Sequence, residues 1–238
     1  MITMAIMLKL GTAPVHLWYP EILQGTTINS ALLISTWQKI APMTLLYMMH
    51  KNLPTNLMLI AGLLSAILGG LAGLNQTQTR KIMAHSSIAH MGWILIALTM
   101  NPQLTTLTLM TYLIMTTTMF ISLNTTSTKT INDLGTTWPN SPTMMTLTLL
   151  TLTSLGGLPP LTGFMPKLLI LNKLTTHPLL PLAILLALAS LPSLFFYIRL
   201  AYMTTLTTPP HTTSTEYKWR FKTTPTMTNT PTIILALM

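Results

Sequence analysis

The chain has 238 residues, half of them hydrophobic and only 6% charged, roughly a quarter of the charge content usual for a soluble domain. With a mean hydropathy of +0.57 and apolar runs of about 18–25 residues between short polar stretches, this composition excludes a water-soluble fold and predicts an all-α, polytopic transmembrane helix bundle. The 12 Lys and Arg outnumber three acids but are dispersed, without a basic stripe among exposed aromatics, so no nucleic-acid partner is expected; the absence of Cys removes disulfides, thiolate iron–sulfur ligation and Cys-ligated zinc.

Residues 1–12 read as the end of a helix that runs into Lys9-Leu-Gly-Thr-Ala-Pro-Val-His-Leu-Trp-Tyr-Pro-Glu21. Gly11, Pro14 and Pro20 should interrupt it, giving a discontinuous helix around residues 10–20. The next span, 28–49, carries Lys39 near its middle and Pro42 beyond it. Residues 54–74 make a cleaner span whose Gly62, Gly69, Gly70 and Gly73 offer small surfaces for close helix packing. Asn75 to Lys81 is expected to be a polar turn, and the span 82–100 opens with His85, Ser86, Ser87 and His90 in its first half.

The span 103–123 is rich in Thr, whose hydroxyl can bond the preceding turn's carbonyl and so be tolerated in lipid. A polar connection, 124–142, carries Lys129, Asp133 and a Pro-Asn-Ser-Pro turn. A span from 143 then enters Leu155-Gly-Gly-Leu-Pro-Pro-Leu-Thr-Gly-Phe-Met-Pro-Lys167, where Pro159, Pro160 and Pro166 should interrupt a second helix around 156–166 and free carbonyls that need partners. Its second half runs to about Leu174, and a further span covers 178–203. The segment 204–224 is polar and basic, and 225–238 starts a last helix. The chain opens and closes in mid-hydrophobic pattern, which predicts truncation at both ends. About seven crossings result, and no signal or transit peptide is visible.

Alternating the sides of these crossings gathers Arg80, Lys81, Lys129, Lys218, Arg220 and Lys222 on one side, against Lys51 and Lys173 on the other. The first side is then the matrix or cytoplasmic one.

Lys9, Lys39 and Lys167 stand out because each falls within an apolar span, where a cation costs about 2.5–3.5 kcal/mol or more. Either they snorkel to the interface along their butyl stems, or they exchange protons in a low-dielectric interior. Two of the three adjoin helix breaks, whose carbonyls can hold an ammonium group. His85 and His90 lie about 140° apart on a helix, poorly placed to chelate one metal but acceptable as successive stations of a hydrogen-bonded chain. Lys81 and His85 share a helix face, and His16 sits in the first break. Either histidine could instead simply bond a neighbouring Ser, Thr or carbonyl. Trp18, Trp37 and Trp93 read as packing or interface residues. No phosphate loop, paired carboxylates or nucleophile elbow appears, and no metal site is expected.

Four ordered segments, Lys9 to Glu21, Thr36-Trp-Gln-Lys-Ile-Ala-Pro42, Gly73 to Trp93, and Gly156 to Lys167, resemble the vertebrate mitochondrial NADH dehydrogenase subunit 2 family, and the resemblance spans nearly the whole chain. It implies an antiporter-like membrane-arm subunit of respiratory complex I in the mitochondrial inner membrane, built from two inverted helix repeats. On that reading, 1–49 ends the first repeat, 54–203 forms the second, 204–224 is a matrix-side loop and 225–238 starts the last helix. Lys9, Lys39 and Lys167 would belong to a hydrated proton relay, with His85 and His90 on the helix linking the half-channels. The partners would be other membrane-arm subunits, lipid, protons and internal water. No cofactor is expected in this chain, since NADH, FMN, iron–sulfur clusters and ubiquinone would be held by other subunits. The family's early helices, with the acidic partner of the first lysine, have no counterpart here. A stand-alone cation/proton antiporter and a structural membrane-arm spacer are the alternatives.

Overall fold

The computed structural model describes residues 2–136 and 142–205; the expected loop at 204–224, beyond its first two residues, and the last helix from 225 lie outside them, as does most of the Pro-Asn-Ser-Pro turn. Among the described residues the fold is all-α, with no strand. Four helices are long and apolar enough to cross a membrane, Thr55–Gly73 (α5), Thr79–Met100 (α6), Pro102–Thr126 (α7) and Leu180–Thr205 (α11).

The remaining spans are interrupted. The first comprises Ile2–Leu10 (α1) and Trp18–Gly25 (α2), and the second Ile28–Ser35 (α3) and Trp37–Met48 (α4). After the short helix Ile131–Thr136 (α8), the third comprises Pro142–Gly156 (α9) and Phe164–Thr176 (α10). Counting each interrupted pair as one crossing gives the seven expected.

Both glycine-proline breaks begin in the same way. Gly11 and Gly157 adopt φ of +70° and +81°, a left-handed conformation that glycine takes without a Cβ penalty. The Gly11 N–H bonds Leu8 O at 3.1 Å and the Thr12 N–H bonds Met7 O at 3.1 Å, while Gly157 bonds Ser154 O at 2.9 Å and Leu158 bonds Thr153 O at 3.3 Å. These paired returns form a Schellman termination, which satisfies carbonyls the helix end leaves open. Pro20 and Pro166 do not break the chain as expected; they lie in the first turns of α2 and α10, where a missing N–H leaves no helical bond unmade.

The interruption at Thr36 corrects the reading of 28–49 as one continuous span. Thr36 has φ −115° and ψ −71°, and the hydroxyls of Ser35 and Thr36 both return to Leu32 O, at 3.0 and 2.7 Å. Such side-chain competition with the backbone bends helices. The Lys39 N–H then bonds Thr36 O at 3.3 Å, so the i−4 carbonyl, on Ser35, is left for another donor.

Two further boundaries move. The polar turn ends at Gln78, with Thr79 to Lys81 already helical. The 124–142 connection is not wholly irregular, because Thr130 and Asp133 form a capping box that starts α8. The Thr130 N–H donates to Asp133 Oδ2 at 2.8 Å and the Asp133 N–H to Thr130 Oγ1 at 3.3 Å.

α6 is the central helix. Over its most apolar window 89% is buried, against 33–44% for the other three long spans, and it contributes to all three hydrophobic clusters. Its approach to α5 is set by glycines, as the small-residue reading expected. A Cβ at Gly69 would stand 2.7 Å from Ala89 N, and one at Gly92 2.5 Å from Gly62 O, so the two backbones are in direct contact. Gly70 and Gly73 admit α11 in the same manner, against Ala189 O and the Phe196 ring.

One end of the bundle is tied by polar contacts. Arg199 donates to Leu74 O at 2.7 Å and Gln76 O at 2.5 Å, Arg80 donates to Thr26 O, and the Thr79 N–H bonds Lys129 O at 3.1 Å. Arg80, Lys129 and the turn after α2 thus share one end, in keeping with the charge asymmetry of the sequence. The Thr residues of α7 satisfy their hydroxyls as expected, with Thr108, Thr111, Thr116 and Thr118 each donating to a carbonyl three or four residues back.

Candidate functional site

Lys39 lies in the first turn of α4 and is 2% exposed. Its Nζ donates to the Tyr112 hydroxyl at 3.2 Å and stands 4.7 and 5.2 Å from the ring centroids of Tyr19 and Tyr112. The Tyr19 ring face and the Tyr112 hydroxyl oxygen therefore replace the ammonium group's water. The Tyr112 hydroxyl has one proton, which it donates to Ser35 O at 3.0 Å, the carbonyl released by the Thr36 break. The sequence difficulty of a buried cation is thus met by a flaw in the helix that carries it.

Lys167 follows the second break. Its Nζ donates to Gly156 O at 3.1 Å, at the C-terminal, electronegative end of α9, and lies 6.0 Å from the Trp93 ring centroid. One carbonyl freed by the prolines is thus satisfied by the lysine itself. Thr162 bonds the Ser154 hydroxyl at 3.3 Å. Gly163 is needed here because a Cβ would collide with the backbone carbonyl of Ser154.

His90 lies within electrostatic reach of both lysines. Its Nε2 is 3.3 Å from the Tyr197 hydroxyl, and its ring centroid lies 5.6 Å from that of Tyr112. His90, Trp93, Tyr112, Pro166 and Lys167 line one narrow cavity with a water-accessible volume of about 20 Å³, enough for a single water. A wider groove of about 440 Å³, lined by Trp93, Gly156, Asn172, Ser190 and Lys167, meets it at Lys167. Lys167 therefore stands between an interior cavity and a groove opening among α9, α10 and α11.

The other two expected residues lie apart from this cavity. Lys9 is on the exposed side of α1, in its last turn, with no hydrogen bond or ion pair to the described residues. His85 is buried at 7% exposure, and its Nδ1 meets no hydrogen-bonding atom of the described residues. Lys81, one turn before it, and His16, in the first break, are its electrostatic neighbours. Among the described residues no group of three or more His, Asp or Glu is placed to hold a metal.

The tryptophans divide. Trp18 Nε1 donates to Leu8 O at 3.1 Å across the first break, Trp37 is 72% exposed, and Trp93 underlies Lys167.

Sequence reasoning missed Tyr19, Tyr112 and Tyr197. The signal available was that a buried tyrosine needs a partner for its hydroxyl, and Tyr112 lies in a span with no charge of its own.

The arrangement gathers groups with exchangeable protons around one cavity. Lys39 bonds Tyr112, whose ring packs near that of His90, and Tyr112, His90 and Lys167 border the one-water cavity. Donor and acceptor groups of this kind pass protons by short hops and hydroxyl reorientation.

A family model described as NADH:quinone oxidoreductase/Mrp antiporter, transmembrane, matches residues 1–193, and one described as NADH dehydrogenase subunit 2 C-terminus matches 194–238. NADH-ubiquinone oxidoreductase chain 2 of Sylvisorex ollula is 50% identical over 98% of this chain and 67% of its own length; that of Tetraodon nigroviridis is 53% identical over 94% and 64%. A chain of respiratory complex I from Thermus thermophilus with bound aureothin superposes with a TM-score of 0.83 at 27% identity, over 97% of this chain and 52% of that one. The chain thus spans about two thirds of its curated relatives and half of the solved one. With both models together covering every residue and relatives at 50% identity, the chain belongs to the NADH:quinone oxidoreductase/Mrp antiporter membrane family, in its NADH-ubiquinone oxidoreductase chain 2 group.

Proposed function

We propose that the chain is part of a proton-translocating subunit of respiratory complex I, the NADH:ubiquinone oxidoreductase of the mitochondrial inner membrane. It packs against other membrane-arm subunits and lipid. The redox chemistry, with NADH, FMN, iron–sulfur clusters and ubiquinone, takes place in those other subunits, and this chain moves protons through internal water. The observation that carries this reading is the shared cavity. Tyr112, which accepts from Lys39, and His90 line the same small space as Lys167.

The relay runs from Lys39 through His90 to Lys167, with Lys9 and His85 as further stations toward the first break. A proton held at one lysine disfavours the charged state of its neighbour, so protons advance one station at a time. The equal terminations at Gly11 and Gly157 support two repeats, 1–49 ending the first and 54–203 forming the second.

In assembled complex reconstituted into vesicles, Lys39→Met and Lys167→Met should each lower the protons moved per electron while the complex still assembles. Unchanged pumping per electron in both variants would overturn the relay. A structural spacer would need its lysines at the interface, and the burial of Lys39 at 2% exposure argues against that. The chain 2 relatives, matched over nearly the whole chain, favour a complex subunit over a stand-alone antiporter.

A further inference from the structure

Tyr112 occupies an unusual position beside Lys39. It comes from α7, reaches a carbonyl exposed by the α3–α4 interruption, and receives the lysine from the next turn. It is 2% exposed, so bulk water does not compete for its hydroxyl. It also borders the cavity that holds His90 and Lys167.

We propose that Tyr112 is a positioning residue that couples the proton on Lys39 to the α3–α4 interruption, a role that rests on the relay reading above. The chemistry follows from counting hydrogens. A phenol has one proton to donate and lone pairs to accept with. While Lys39 is an ammonium group it can only donate, so Tyr112 accepts from it and gives its own proton to Ser35 O, as observed. When Lys39 passes a proton toward the cavity, its nitrogen gains a lone pair. The Tyr112 hydroxyl can then turn and donate to that nitrogen, but only by releasing Ser35 O. The departing proton breaks one N–H bond of Lys39 and is taken up by a water of the internal path; the turn of the hydroxyl itself changes no covalent bond and exchanges one hydrogen bond for another.

The released carbonyl matters because its helical partner is already absent. The Lys39 N–H is engaged with Thr36 O, so Tyr112 is the side chain that satisfies Ser35 O. A buried carbonyl left without a donor is costly, and the segment must either readmit a helical bond or take up water. Loss of a proton from Lys39 is thereby felt by the backbone between α3 and α4.

The test uses assembled complex in vesicles carrying Tyr112→Phe, Lys39→Met, or both. Tyr112→Phe keeps the ring over Lys39 and removes only the hydroxyl. The expected result is a loss of protons per electron as large as that of Lys39→Met, with no further loss in the double variant, since groups acting as one unit are not additive. Amide exchange over residues 33–40 should change between resting and NADH-driven complex in the wild type and stay constant in Tyr112→Phe. Wild-type pumping in Tyr112→Phe alongside a defective Lys39→Met would overturn the role of Tyr112 and leave the relay standing. Wild-type pumping in both would overturn the relay itself. A double variant worse than Lys39→Met would show that Tyr112 acts through packing, against the proposal. If Tyr112→Phe alone failed to assemble, recovery in the double variant would support the pairing, and failure in both would overturn it.

Discussion

The contact between α5 and α6 sets the position of His90 and Trp93, and Gly92→Ala tests it directly. A Cβ at Gly92 would lie 2.5 Å from both Gly62 O and Ser65 Oγ and 2.8 Å from Ala66 N. Ordinary contact begins at 3.4 Å, so α5 and α6 would have to part by nearly an ångström. Two of the three obstacles are backbone atoms, which cannot rotate aside. Overpacking of this kind costs about 1–3 kcal/mol, and rigid obstacles place it in the upper part of that range. The Gly→Ala change returns up to about 1 kcal/mol through helix propensity, leaving a net destabilisation of about 1–2 kcal/mol, or about 5–30-fold in the open population. Hydrogen exchange of the α6 amides in the assembled complex reads this population. Gly25→Ala is the control, because a Cβ there would meet nothing within 4 Å, and its α6 exchange should match the wild type. Equal α6 exchange in Gly92→Ala and Gly25→Ala would refute the backbone-contact argument.

Gly157→Ala should be destabilising for a different reason. At φ +81° an alanine is strained by about 1–2 kcal/mol, and its Cβ would lie 3.0 Å from Lys167 Nζ. Exchange of the Leu158 amide should accelerate and pumping fall toward that of Lys167→Met; unchanged exchange would contradict the termination described. Asp133 provides a pH test outside the membrane. Partial burial works to raise its pKa, but hydrogen bonds from the Thr130 and Lys129 N–H groups outweigh it and hold the carboxyl below the usual aspartate value. A depressed carboxyl stabilises the fold above its unfolded value and loses that contribution as pH falls through the folded one. Protection of the Lys129 and Thr130 amides should therefore be constant through neutral pH and fall only under acidic conditions, a loss that Asp133→Asn should abolish. Loss of protection near pH 7 in the wild type would contradict the cap.

The two glycine-proline breaks were legible because residue identity forces them. Gly11 and Gly157 permit a left-handed turn, and the prolines after them withhold N–H groups. The Thr36 break was not legible in the same way. It arises from Ser35 and Thr36 hydroxyls competing for one carbonyl, and hydroxyl residues elsewhere, as throughout α7, make the same bond inside unbroken helices. The helix α8 carried a readable signature in Thr130 and Asp133 at capping-box spacing. Lys39 and Lys167 were found as charges out of place, but their partners were not, because Tyr112 and Trp93 reach them from helices distant in sequence. The centrality of α6 was hidden for an instructive reason. It is the least hydropathic of the four long spans and the most buried, since its histidines and serines are tolerated where neighbouring helices, rather than lipid, surround them.

The lysines share one structural feature. Lys9 precedes the Gly11 turn by two residues, Lys39 follows the Thr36 break by three, and Lys167 bonds the last residue of α9 across the second break. Among the described residues none of the three is paired with a carboxylate. Glu21 is exposed on α2, and Asp133 is held in the α8 cap. Lys39 and Lys167 are met by neutral dipoles and aromatic faces instead. The difference bears on the proposed relay. A buried carboxylate would be left as an uncompensated charge whenever its lysine gave up a proton, at a cost of several kcal/mol. A carbonyl or a phenol leaves no charge behind, so the lysine can exist in both states. A helix interruption is thus a counter-group suited to the discharging cation of the proposed relay.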